Sequence, residues 1–135
     1  MEVAHLDQQN VMGRCIAACN ECNRVCLQSI EHCLALGGQH AEPAHIAVLL
    51  TCASTCRTAT ELMSINSVWH PTICDLCAQV CEECADQCED LGDIDDCVAA
   101  CQSCADACRD MDGEPIDEEE DEAQETDLAI SERLN

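Results

Sequence analysis

The stretch Cys74-Asp75-Leu76-Cys77-Ala78-Gln79-Val80-Cys81-Glu82-Glu83-Cys84-Ala85-Asp86-Gln87-Cys88 decides the fold of this chain. Its five cysteines alternate at spacings of three and four, with no Gly or Pro between them. A helix turns about 100° per residue, which gathers all five thiols within about 80° of one another. That is a stripe of sulfur down one face of one helix. The same rhythm returns at Cys15, Cys19, Cys22, Cys26 and Cys33, and again at Cys97, Cys101, Cys104 and Cys108.

Outward from that stretch, the punctuation of the chain predicts four helices, at about 7–36, 43–64, 71–91 and 95–111. Gly37-Gly38 ends the first, Pro43 suits the opening turn of the second, and Leu91-Gly92 stops the third. Ser64 to His70 reads as the connection ahead of Pro71, and Asp93 or Asp95 as the cap of the fourth helix. The second helix holds only Cys52 and Cys56, but His45, Val48, Leu49, Ala59 and Met63 continue their face. Short connections and three–four seams predict an all-α, antiparallel four-helix bundle with a cysteine-lined core. Residues 112–135 differ: they hold 11 acids against one Arg and read as an acidic, disordered tail. Its bland role is solubility; its functional alternative is docking a cationic partner.

Composition bounds the function. The 135 residues carry 28 acids against five Arg and no Lys, for a net charge of −23. Phosphate-directed nucleic-acid binding needs a basic face and is excluded, and docking on an anionic membrane is disfavoured for the same reason. A Lys-free, acid-rich chain suits high intracellular salt, where screening removes self-repulsion. No stretch reaches the ~18 apolar residues of a membrane span. The N-terminus Met1-Glu2-Val3-Ala4-His5-Leu6 lacks a signal pattern, which predicts a cytoplasmic protein with reduced thiols. No nucleophile–base pair or phosphate loop is visible, so no enzyme is expected.

Sixteen cysteines and no Phe or Tyr ask for an explanation beyond packing. Neighbours three or four apart on one helix are poorly oriented to form disulfides with each other. The cluster-binding x2-x2-x3 run ending in Cys-Pro is absent, which argues against iron–sulfur ligation. Zinc takes four ligands, and each four-thiolate site keeps two negative charges with no Lys to offset them. Cu(I) is soft, monovalent and content with two or three sulfurs, and each ion displaces one thiol proton. Loading near one ion per Cys then leaves the interior neutral. Multiple Cu(I) ions are therefore the favoured ligand. A redox-active dithiol/disulfide protein, or a zinc or iron–sulfur protein, remains the alternative.

The motifs Cys74-x2-Cys77-x3-Cys81-x2-Cys84-x3-Cys88 and Cys97-x3-Cys101-x2-Cys104-x3-Cys108 resemble the third and fourth helices of the cysteine-rich four-helix-bundle copper storage proteins (the Csp family). The likeness extends back through Cys15–Cys33 and covers about residues 7–111. It implies storage of many Cu(I) ions inside each bundle, in a homo-oligomer, a tetramer of bundles, of the cytosolic branch. The chain departs from relatives at His45, where many have another Cys, and in its tail.

The candidate ligands are thus all sixteen cysteines, Cys52 and Cys56 included. Three further residues continue the seams. Met63 and Met111 lie on the cysteine faces of their helices, and His45 starts the seam of the second. Thioether and imidazole both ligate Cu(I), so these read as weaker ligands at the ends of the bundle, with gap-filling as the ordinary role of Met. An antiparallel bundle gathers Met12, Met63, His70 and Met111 at one end. His32 lies off the stripe, and His5 and His40 read as solvent-side.

Overall fold

The computed structural model describes residues 2–112 of the chain. Where the sulfur rhythm runs, the backbone is helical: α1 spans Glu2–Leu36, α2 Pro43–Ser64, α3 His70–Leu91 and α4 Asp95–Asp112, with a 3-10 turn at Gly38–Ala41. α1 begins well ahead of Asp7. No Gly or Pro interrupts its first turns, and Gly13 inside it meets no neighbouring atom. α4 begins behind the buried Ile94, so neither Asp93 nor Asp95 is its cap. Asp93 sits in the turn at φ 66°, and Asp95 and Asp96 place their charge in the first helical turn, at the positive end of the dipole. The acidic tail lies outside the described residues.

Both ends of α3 explain the layout. After Leu91 the chain must turn at once, and Gly92 does so at φ 79° while its N–H bonds Cys88 O at 3.0 Å. That turn exposes Gly92 O, which accepts a hydrogen bond from His40 Nε2 at 2.9 Å. His40 is therefore not a solvent-side residue. It ties the α1–α2 connection to the α3–α4 connection and closes this end of the bundle. The opposite end is crossed, among the described residues, only by the α2–α3 connection at Ile65–Trp69.

Each helix packs on two neighbours, in the order α1, α2, α3, α4 and back to α1. The sulfur pairs Cys15–Cys108, Cys19–Cys104, Cys22–Cys101 and Cys26–Cys97 step in opposite chain directions, so α1 and α4 are antiparallel. Cys52–Cys81 and Cys56–Cys77 show the same for α2 and α3. Arg109 of α4 makes a two-pronged ion pair with Glu82 of α3, Nη2 to Oε1 at 2.9 Å and Nε to Oε2 at 3.1 Å. Half-exposed pairs of this kind contribute about 1 kcal/mol at most.

All sixteen cysteines are fully buried, and Ala53, Ala59, Ala78, Ala85 and Ala105 flank them. Small side chains let the helices approach until sulfurs on diagonally opposite helices meet: Cys22 and Cys81 at 4.0 Å, Cys52 and Cys101 at 3.8 Å, Cys56 and Cys104 at 3.6 Å. The ordinary hydrophobic packing falls to α2, whose Leu49 and Met63 are the largest fully buried side chains. Leu49→Ala is expected to cost about 2–5 kcal/mol, read as a lowered urea midpoint of the reduced, metal-free protein.

Candidate metal centre

Three–four spacing aims sulfur inward on each helix, and antiparallel packing then sets those stripes face to face. Sγ–Sγ distances across the core run from 3.4 Å (Cys88–Cys97) to 4.0 Å (Cys26–Cys97). A disulfide needs about 2.05 Å, and all sixteen cysteines are free thiols. A metal–thiolate bond of about 2.3 Å instead places two sulfurs of one ion about 3.8 Å apart in tetrahedral and about 4.0 Å apart in trigonal geometry. The observed separations match those of sulfurs that share an ion.

The sulfurs form a ladder rather than separate sites. Cys15, Cys19 and Cys108 make one group, and Cys19, Cys56, Cys77 and Cys104 the next. Then come Cys22, Cys52, Cys56 and Cys81, followed by Cys22, Cys26, Cys52 and Cys101, and finally Cys26, Cys84, Cys97 and Cys101. Every group shares at least one sulfur with the next. A shared thiolate can bridge two ions, so the column can fill continuously along the bundle axis.

Charge decides which ions suit it. Among the described residues the only buried polar side chains are Ser29 and His45, so no buried Lys or Arg offsets thiolate charge. Burial, then the nearby sulfurs of Cys97 and Cys84, pushes the Cys33 thiol up. Hydrogen bonds to Cys84 and Cys97, together with burial, push Cys88 up. Bonds to Cys108 and Cys15, then burial, do the same for Cys74. Hydrogen bonds from neighbouring thiols pull Cys22, Cys52, Cys77, Cys97 and Cys108 the other way, but ten of the sixteen thiols are pushed up, so burial without a cation favours a mostly protonated column.

Cys33, Cys74 and Cys88 stand outside the ladder groups. Cys88 meets Cys97, Cys74 lies beside Cys15 and Cys108, and Cys33 faces an imidazole instead of sulfur. His45 is buried at 5% exposure, with Nε2 at 3.6 Å from Cys33 Sγ and Nδ1 at 3.4 Å from Gln87 Oε1. Nothing in the sequence singles out Gln87, because no periodicity marks a polar residue on the shoulder of a seam. At the other end Met63 is buried in the core, and Met12 and Met111 pack against it half-buried. His70 is half-buried too. Its Nδ1 is buried without a partner, and burial holds the ring below the usual imidazole range, hence neutral and able to ligate. His32 is exposed, off the column.

Residues 8–113 match the family model of the copper storage proteins. The chain belongs to the copper storage protein family. Among solved structures, this copper storage protein is similar to Nmul_A1745 of Nitrosospira multiformis, at 39% identity and a TM-score of 0.74, over 76% of this chain and 95% of that one. It is similar to the Cu(I)-bound copper storage protein BsCsp3, at 34% identity and a TM-score of 0.70, over 75% of this chain and 97% of that one. Apo-Csp3 from Bacillus subtilis aligns at 35% identity with a TM-score of 0.61, over 72% and 94% of the two chains. The uncharacterized cysteine-rich protein YhjQ of Bacillus subtilis (strain 168) is 35% identical over 66 residues, 49% of this chain. This copper storage protein thus spans 61% of the length of that curated relative.

Proposed function

We propose that this protein stores and buffers multiple Cu(I) ions on the thiolates that line its core. The carrying observation is the ladder of fully buried, mutually touching sulfurs with no buried Lys or Arg beside it among the described residues. A stack of four-thiolate zinc sites would leave about two uncompensated charges each, whereas one Cu⁺ exchanged for one thiol proton keeps the interior neutral. The sixteen cysteines form the store, with His45, Met63 and Met111 as the softer-held ligands at its two ends. The role is sequestration rather than turnover, since a filled column leaves no open position for a substrate.

Further features support the setting. Leu27, Leu34 and Leu50 on α1 and α2 are 46%, 55% and 49% exposed and offer a face for self-association, in keeping with a tetramer of bundles. No helix among the described residues is long and apolar enough to cross a membrane. A cytoplasmic, thiol-reducing setting keeps the column loadable, and the Lys-free surface suits high salt. Five Arg against 28 acids give nucleic acid no basic face to dock on.

Anaerobic titration of the reduced protein with Cu(I), against a competing chromogenic chelator, tests the reading. The plateau is expected near the cysteine count, with about one proton released per ion on a pH-stat. Retention of one or two ions would sink the storage reading and favour redox chemistry. Up to four protons per ion, with Zn²⁺ preferred, would favour zinc.

A further inference from the structure

Cys33 faces an imidazole where the other end-of-column cysteines, Cys74 and Cys88, face sulfur. It belongs to no ladder group, yet it is fully buried and faces His45 Nε2 at 3.6 Å. The other ring nitrogen bears on the tautomer. With the Gln87 amide turned so that Oε1 faces the ring at 3.4 Å, that oxygen accepts and His45 Nδ1 is the protonated nitrogen. In a neutral imidazole that leaves the Nε2 lone pair free, 3.6 Å from the Cys33 sulfur.

We infer that Cys33 and His45 hold a terminal Cu(I) ion at the closed end of the bundle, and that Gln87 is the residue that positions the imidazole for it. The inference rests on the storage reading above. Entry of Cu⁺ displaces the Cys33 thiol proton, while His45 contributes its Nε2 pair and keeps its Nδ1 proton on Gln87. One cation, one thiolate and one neutral ring sum to zero charge, which the cation-free core requires. With metal–sulfur and metal–nitrogen bonds of about 2.3 and 2.0 Å, the 3.6 Å separation subtends about 115° at the ion. A linear ion held by these two ligands alone would need the two atoms to open by about 0.7 Å. The ligand set also separates this ion from the rest, since the ladder groups are all sulfur.

Gln87 acts through His45 and does not touch the ion. Partners of this kind tune metal affinity by about 10–100-fold when removed. They do so here by preventing the alternative tautomer, in which a protonated Nε2 would face Cys33 and offer no lone pair.

Long-range 1H–15N spectra of the full-length, ring-labelled protein follow His45 through a Cu(I) titration. The metal-free protein is expected to show a protonated Nδ1 and a bare Nε2, and Nε2 alone should shift as copper fills. His45→Phe should lower the Cu(I) plateau by one ion. Gln87→Ala should mix the tautomers and weaken one ion by about 10–100-fold, and Gln87→Glu, which restores the acceptor, should recover both. A protonated Nε2 in the metal-free protein would overturn the inference. So would an unmoved Nε2 at full loading, with the storage reading left standing. A wild-type plateau of one or two ions overturns storage instead, and the Nε2 shift then reports whether the terminal site holds one of them. Circular dichroism of each variant separates loss of the site from loss of the fold.

Discussion

Filling the column with Cu(I) is expected to raise the midpoint of thermal unfolding by on the order of 20 °C or more. An ion that binds the folded chain and is present at a hundred times its dissociation constant adds about 2.7 kcal/mol, and several ions act on one fold. Thiols of the unfolded chain also take copper, which trims the gain. They cannot reproduce groups such as Cys22, Cys26, Cys52 and Cys101, whose sulfurs come from three helices. The metal-free protein starts from a modest base, because its interior is built from sulfur and alanine with Leu49 as its largest aliphatic side chain.

The same comparison carries a pH signature. Thiols such as Cys33 and Cys88 are raised in the folded state, so the fold holds protons that the unfolded chain gives up near pH 8.5. Stability from these groups is complete below that pH and falls as pH rises above it. Ten thiols are raised against five lowered, so reduced, metal-free protein should on balance lose denaturation midpoint above about pH 8.5. The loaded protein, whose sulfurs have already given up their protons to copper, should show no such fall. Equal slopes for the two forms would mean that copper does not occupy the buried thiols.

The second large effect is positional. Cys22 Sγ lies within 3.7 to 4.0 Å of sulfurs from all three other helices and from its own: Cys52, Cys101, Cys81 and Cys26. It also belongs to two of the four-sulfur groups. Cys22→Ala is therefore expected to lower the Cu(I) plateau by about two ions, because a bridging thiolate serves more than one. Cys74→Ala, at the end of the column and outside every group, should lower it by about one at most. The alanine side chain keeps the fold, since it leaves only a small hole and no unpaired polar atom. Native mass spectrometry of the loaded variants, alongside chelator competition, reads the difference directly. Identical losses of one ion each would falsify the bridged ladder and favour independent sites.

Much of this protein was legible before any coordinates. The three–four spacing from Cys74 to Cys88 allows only a helix with sulfur on one face, and four such elements joined by Gly- and Pro-marked turns have a bundle as their simplest packing. The absence of Lys and the monovalency argument likewise follow from composition and charge. From the sequence His40 reads as solvent-side, because a polar residue in a short loop looks solvent-facing until the partner loop is brought to it. The bond to Gly92 O exists only once α1–α2 and α3–α4 meet at one end. The start of the fourth helix differs for a similar reason: the chain enters it at Ile94, whose side chain is held by the core while its carbonyl accepts from Cys97 N and Val98 N.

The sequence by itself determined the helical class, the inward aim of each sulfur stripe and the soft, monovalent character of the preferred ion. Local periodicity and side-chain chemistry are properties of single segments, and they survive without knowing the neighbours. Only the tertiary structure decided which sulfurs share a group and that diagonal helices touch. The pairing of Cys33 with His45 and Gln87 was likewise invisible in the sequence. Those facts depend on the relative height of four helices, which is set by how small cysteine and alanine let the backbones approach. No one-dimensional spacing carries that height.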